Sequence, residues 1–136
     1  MKLLILDSKS FKYKLDHKTP VGEDIGNDLM IGNFDNPLVV FVAIEAGDNE
    51  ATLEKSKNDI SKIAIKNNVD LVLLNPFAHL ASNLAKPAVA INLLKELTDM
   101  LKQCSEFSTE KLVFGWYKEF SIDVKGGDNS QIFREY

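Results

Sequence analysis

The sequence predicts an α/β chain, a mixed sheet carrying two main helices in an α+β sandwich. Three observations lead there. Apolar runs recur at residues 2–7, 37–44 and 69–74, the second of them continuous and rich in β-branched residues, and two other stretches carry apolar stripes at helical spacing. The segments between them are rich in Gly, Pro, Asn and Asp.

Taken in order, Lys2-Leu3-Leu4-Ile5-Leu6-Asp7 is expected as a mostly buried strand. Phe11-Lys12-Tyr13-Lys14-Leu15 alternates apolar and polar, as its half-exposed hairpin partner would. From 16 to 36, Pro20, Gly22, Gly26 and Gly32 stand among Asp and Asn, which predicts a long loop. The continuous run from Pro37 to Ile44 reads as a central strand. Between Asn49 and Asn67, Leu53, Ile60, Ile63 and Ala64 fall on one helical stripe, with Asp48 as the expected N-cap. Val69 to Leu74 is a further buried strand, stopped by Asn75-Pro76.

A second helix follows, its apolar face drawn from Leu84, Val89, Ile91, Leu94, Leu97, Leu101 and Cys104. Pro87 is tolerated in a first turn, so this helix begins at Ser82 or nearer Lys86. Lys111 to Val124 is β-rich and broken by Gly115, where a bulge or bend is expected. Gly126-Gly127-Asp128-Asn129 is a turn before a short terminal element. With no repeat and no linker, residues 1–136 are expected to form one domain.

Composition narrows the function. The chain is 45% hydrophobic and 26% charged, the balance of an ordinary soluble protein. No apolar run approaches the roughly 20 residues needed to span a bilayer, and no signal peptide precedes the first strand. The single Cys104 excludes an internal disulfide and fits a reducing cytoplasm. It reads as a small hydrophobe on the inner face of a helix rather than as a nucleophile. The net charge is −4. A domain that gripped an RNA body alone should be basic, so an RNA partner would be handled here only at its end. There is no phosphate loop, dinucleotide fingerprint, Cys-x-x-Cys or His-Glu-x-x-His, so no cofactor or metal is called for. Asp48, Glu50 and Glu54 are better explained by a helix dipole than by a metal, and His17 as a solvated bystander.

Two segments carry candidate chemistry. In Asn75-Pro76-Phe77-Ala78-His79, the histidine follows the end of a buried strand, where open α/β sheets place ligands. In Phe114-Gly115-Trp116-Tyr117-Lys118, two aromatics invite burial of the lysine stem. A desolvated ammonium can hold a water or neutralise an oxyanion.

Together, the run from Asn75 to Ala90 and the Phe114–Lys118 segment resemble the N-terminal editing domain of archaeal threonyl-tRNA synthetases, relatives of the D-aminoacyl-tRNA deacylases. The likeness extends more weakly from Met1–Asp7 to about Arg134. It implies a D-aminoacyl-tRNA-deacylase-like fold and hydrolysis of seryl-tRNA(Thr). Lys118 becomes the catalytic lysine, with His79 at the reacting centre and Tyr117 beside it. Pro76, Phe77 and Ala78 line the aminoacyl pocket, Ile44 and Glu45 form its wall, and Trp116 stands where the family has Tyr. The family's glutamate thirteen residues beyond the lysine is here Gln131, which hydrogen-bonds but accepts no proton. Glu135 lies too far along to replace it. The resemblance further implies the tRNA(Thr) 3′ end carrying serine as partner, the rest of a synthetase in cis or in trans, and a homodimer. A non-catalytic module that binds the tRNA end or dimerises a synthetase is the alternative, kept open by Gln131. A D-aminoacyl-tRNA deacylase proper is disfavoured, because its Ser-Gln-x-Thr type signature is missing.

Overall fold

A computed structural model describes residues 1–136, all but the side chain of Asp28. One 17-residue strand, β1 (Lys2–Lys18), organises it. Its first half pairs antiparallel with β3 (Leu38–Ala43) and with β7 (Gln131–Glu135). Its second half pairs with β2 (Ile31–Asp35) and β6 (Trp116–Val124). The hairpin expected between Lys2–Asp7 and Phe11–Leu15 is therefore one continuous strand. Ser8-Lys9-Ser10 lacks the Gly, Asn or Pro that would reverse the chain, and a register shift against β6 between Ser8 and Ser10 bends it instead.

β3 runs parallel to β4 (Leu71–Pro76), and β4 parallel to β5 (Ser108–Lys111). The crossovers are α1 (Glu50–Lys66) and α2 (Pro87–Lys102), as parallel pairing requires. All six residues of β3 are buried, the signature of a central strand. Alternation along β3 splits the core in two. Val40 and Val42 join Leu3, Ile5 and the helix residues Leu53, Ile60, Leu94 and Leu97. Val39 and Phe41 face the other way, towards Phe11, Tyr13, Leu15, Leu73 and Leu112.

Three local expectations are corrected. The α1 cap is Asn49: its Oδ1 accepts from Ala51 N (3.0 Å) and Thr52 N (3.3 Å), while Thr52 Oγ1 accepts from Asn49 N (3.2 Å). Asp48 is engaged elsewhere, accepting from Glu45 N at 2.7 Å and the N-terminal ammonium at 2.6 Å. β2 lies within the expected loop; its Gly32 permits close approach to Tyr13, whose ring a Cβ would meet at 2.2 Å. The apolar face of α2 buries Ala90, Leu94, Leu97, Thr98 and Leu101, whereas Leu84 and Val89 are exposed and Cys104, just past the helix, packs partly buried.

Candidate active site

β3 and β4 end side by side, and their carboxyl ends open onto a cavity of about 370 Å³. Pro76 closes β4 because it cannot continue the ladder, and the chain turns through Phe77 into a short 3-10 turn at Ala78–Leu80. The opposite wall is the start of β6. Gly115 takes φ +75°, and Thr19 ties it down through both its amide (2.9 Å) and its hydroxyl (2.6 Å) to the Gly115 carbonyl. A Cβ on Gly115 would sit 2.6 Å from Gly22 Cα, so two glycine backbones meet there.

Eight of the ten sequence-predicted residues line this cavity: Ile44, Pro76, Phe77, Ala78, His79, Trp116, Tyr117 and Lys118. Glu45 does not. Its carboxylate turns to the N-terminal ammonium (3.0 Å) and Lys2 (3.5 Å). Burial resists its ionisation, but those cations prevail and hold it below the usual glutamate range. Gln131 is also outside the lining. It sits on β7 opposite Leu6, exposed, its amide donating to the Lys125 carbonyl at 3.3 Å.

Lys118 is the electrostatic centre. Its stem runs inward beside Leu15, its cross-strand partner, and among the described residues its ammonium meets only the Trp116 carbonyl, at 3.5 Å. No carboxylate pairs with it among the described residues. Burial, and then the charge of Lys111, pull its pKa down to about 8, against an opposing pull from Glu23. Glu23 is itself occupied: it pairs with Lys111 at 3.0 Å and accepts from Phe114 N at 2.8 Å. Its carbonyl takes the Trp116 indole N–H at 2.8 Å. His79 packs edge-on against Phe77, 5.0 Å between centroids, and its exposed ring makes no hydrogen bond among the described residues. Those residues also include no cluster of three His, Cys, Asp or Glu side chains placed to hold a metal.

Sequence reading missed several members. Thr19 and Phe120 line the cavity, Phe114 joins them from within the quoted segment although no role was read for it, and Glu23 braces the wall from behind. Asn75 also lines it, is 1% exposed, and has a buried Oδ1 without a hydrogen-bond partner. An amide closing an otherwise apolar strand was the available signal, since an unsatisfied buried acceptor costs about 1–3 kcal/mol.

A curled mixed sheet, two crossover helices on one side and a lysine-bearing cavity at the strand ends make up an α/β fold that recurs in a solved structure. A solved structure of a c-Myc DNA unwinding element binding protein matches all of this chain and 99% of its own with a TM-score of 0.74, at 12% identity, so the fold alone is shared. The model of the archaea-specific editing domain of threonyl-tRNA synthetase matches residues 1–136, and the chain belongs to that family. The threonine–tRNA ligase of Staphylothermus marinus is 37% identical over 133 residues, 97% of this chain and 22% of that protein. That of Methanosarcina acetivorans is 34% identical over 137 residues, 98% and 21%. The chain thus spans about a fifth of the length of these relatives.

Proposed function

We propose that this chain, acting as one editing domain, hydrolyses the ester of seryl-tRNA(Thr). The observation that carries the reading is Lys118: a half-buried ammonium with no carboxylate partner among the described residues, lining the same cavity as the strand-end loop that bears His79. Such a cation is placed for charge that develops only during reaction.

Water attacks the ester carbonyl and gives a tetrahedral oxyanion, which the Lys118 ammonium stabilises. Collapse breaks the bond to the ribose oxygen, which leaves with the proton given up by the attacking water and relayed through the neighbouring ribose hydroxyl. His79 orders the water and the polar network, while backbone groups of Pro76–Ala78 and Tyr117 hold the amino acid and the terminal adenosine. The spare Asn75 oxygen accepts from the serine hydroxyl or ammonium. The need for such a site is physical: a synthetic pocket made for threonine rejects serine by one methyl, worth only about 1–3 kcal/mol. The acidic chain handles the RNA end in the cytoplasm, as a homodimer, with the rest of a synthetase supplying the grip on the tRNA body.

Deacylation of seryl-, threonyl- and D-aminoacyl-tRNA by the purified chain tests this. Selective hydrolysis of seryl-tRNA(Thr) is expected. Preference for D-aminoacyl esters, or binding without turnover, contradicts it.

A further inference from the structure

Beside the cavity mouth, β1 and β6 carry an aromatic pair, His17 and Tyr117, of which the hydrolytic reading uses only the Tyr117 backbone and neither ring. Leu15 pairs with Lys118 and Tyr13 with Phe120, and these residues face inward. The register shift between Leu15 and His17 inserts Asp16 as an extra residue, so that His17 rather than Asp16 comes opposite Tyr117. A bulge that re-aims a side chain next to a site is a recurrent device of sheets. The two rings stack with centroids 4.5 Å apart and 23° between planes. Both stay open: the His17 side chain is 63% exposed and Tyr117 54%. Lys12 and Lys14 share that outer face by alternation, both exposed, and neither closes an ion pair among the described residues. Glu119 stands opposite Lys14 without pairing to it.

We propose that the stacked His17–Tyr117 pair is a platform for a nucleobase of the RNA 3′ end, resting on it while the amino acid enters the cavity. Every base offers a π face, so the platform holds the strand without reading its sequence, and Lys12 and Lys14 are placed for its phosphates. This inference rests on the cavity being an editing site, and adds the surface over which the strand arrives.

The probe is the trinucleotide CCA carrying serine through a non-hydrolysable 3′-amide, titrated against the full chain and against His17→Ala and His17→Phe. Loss of the ring is expected to weaken binding roughly tenfold, in the range of one base stacked on one aromatic, and phenylalanine to restore it within about twofold. Hydrolysis of serine ethyl ester, which has no base, should be equal in all three. Unchanged affinity in His17→Ala overturns the platform, as does equal weakening in His17→Phe. Equal loss on serine ethyl ester points to damage to the cavity and overturns it too. Failure of the wild type to bind the probe overturns the editing reading itself.

Discussion

Lys118 shows how one side chain is set by its surroundings. It loses its proton in the folded chain near pH 8, well below the ordinary lysine range, chiefly through burial. If the ammonium is the working form, hydrolysis corrected for spontaneous ester loss falls on the alkaline side through about pH 8. Glu23→Gln keeps an acceptor for Phe114 N but removes the charge that favours the Lys118 ammonium and neutralises Lys111. The alkaline limb is then expected at lower pH, and a limb that stays in place would remove Glu23 from the tuning. Gln131→Glu is expected to change hydrolysis less than about threefold, because Gln131 lies outside the cavity lining and far less than a resident base is altered. A tenfold gain in the same assay would mean that a carboxylate there reaches the reacting groups. His79, Tyr117 and Lys118 were legible because a local motif carries them. Glu23 and Thr19 were not, since their places depend on long-range contacts across a loop of turn-like composition. Asn75, though inside that motif, draws its role from burial and an unpaired oxygen that the motif does not show.

Among the elements, the Gly115 turn matters most to the site because it delivers Trp116, Tyr117 and Lys118 to one wall. Gly115→Ala places a Cβ on a left-handed backbone and 2.6 Å from Gly22 Cα. A loss of roughly 1–3 kcal/mol or more in urea unfolding is expected, together with weaker turnover as the wall moves. Wild-type stability in that variant would show that the two backbones can separate freely. Legibility here followed pattern strength. β3, β4, α1 and α2 announced themselves by buried runs and helical stripes, and Gly115 marked a real break. The continuity of β1 was hidden, because Ser8-Lys9-Ser10 interrupts the apolar pattern where the strand bends between two sets of partners. β2 was hidden because Ile31-Gly32-Asn33-Phe34-Asp35 draws its strand character from pairing with β1 rather than from its own residues.

For the whole molecule, parallel strands joined by helices made the fold class readable, and the same architecture persists at 12% identity in a solved structure. The charge of −4 bears on the proposed contact with an RNA end. Binding of the CCA probe is expected to depend weakly on salt, with log affinity against log salt sloping by about −0.7 for each phosphate neutralised. A slope near −5 in a salt titration would reveal an extensive basic footprint and contradict this expectation. Whether this cavity works through Lys118 is read most directly by single-turnover deacylation of seryl-tRNA(Thr) with Lys118→Met. Methionine keeps the apolar stem and removes the buried charge. Below pH 8 that charge opposes folding, because the unfolded lysine holds its proton to higher pH, so the variant should fold as well as the wild type or better. Hydrolysis is expected to drop roughly 100-fold or more, as on losing an oxyanion donor. Near wild-type turnover by the folded variant would contradict the assignment.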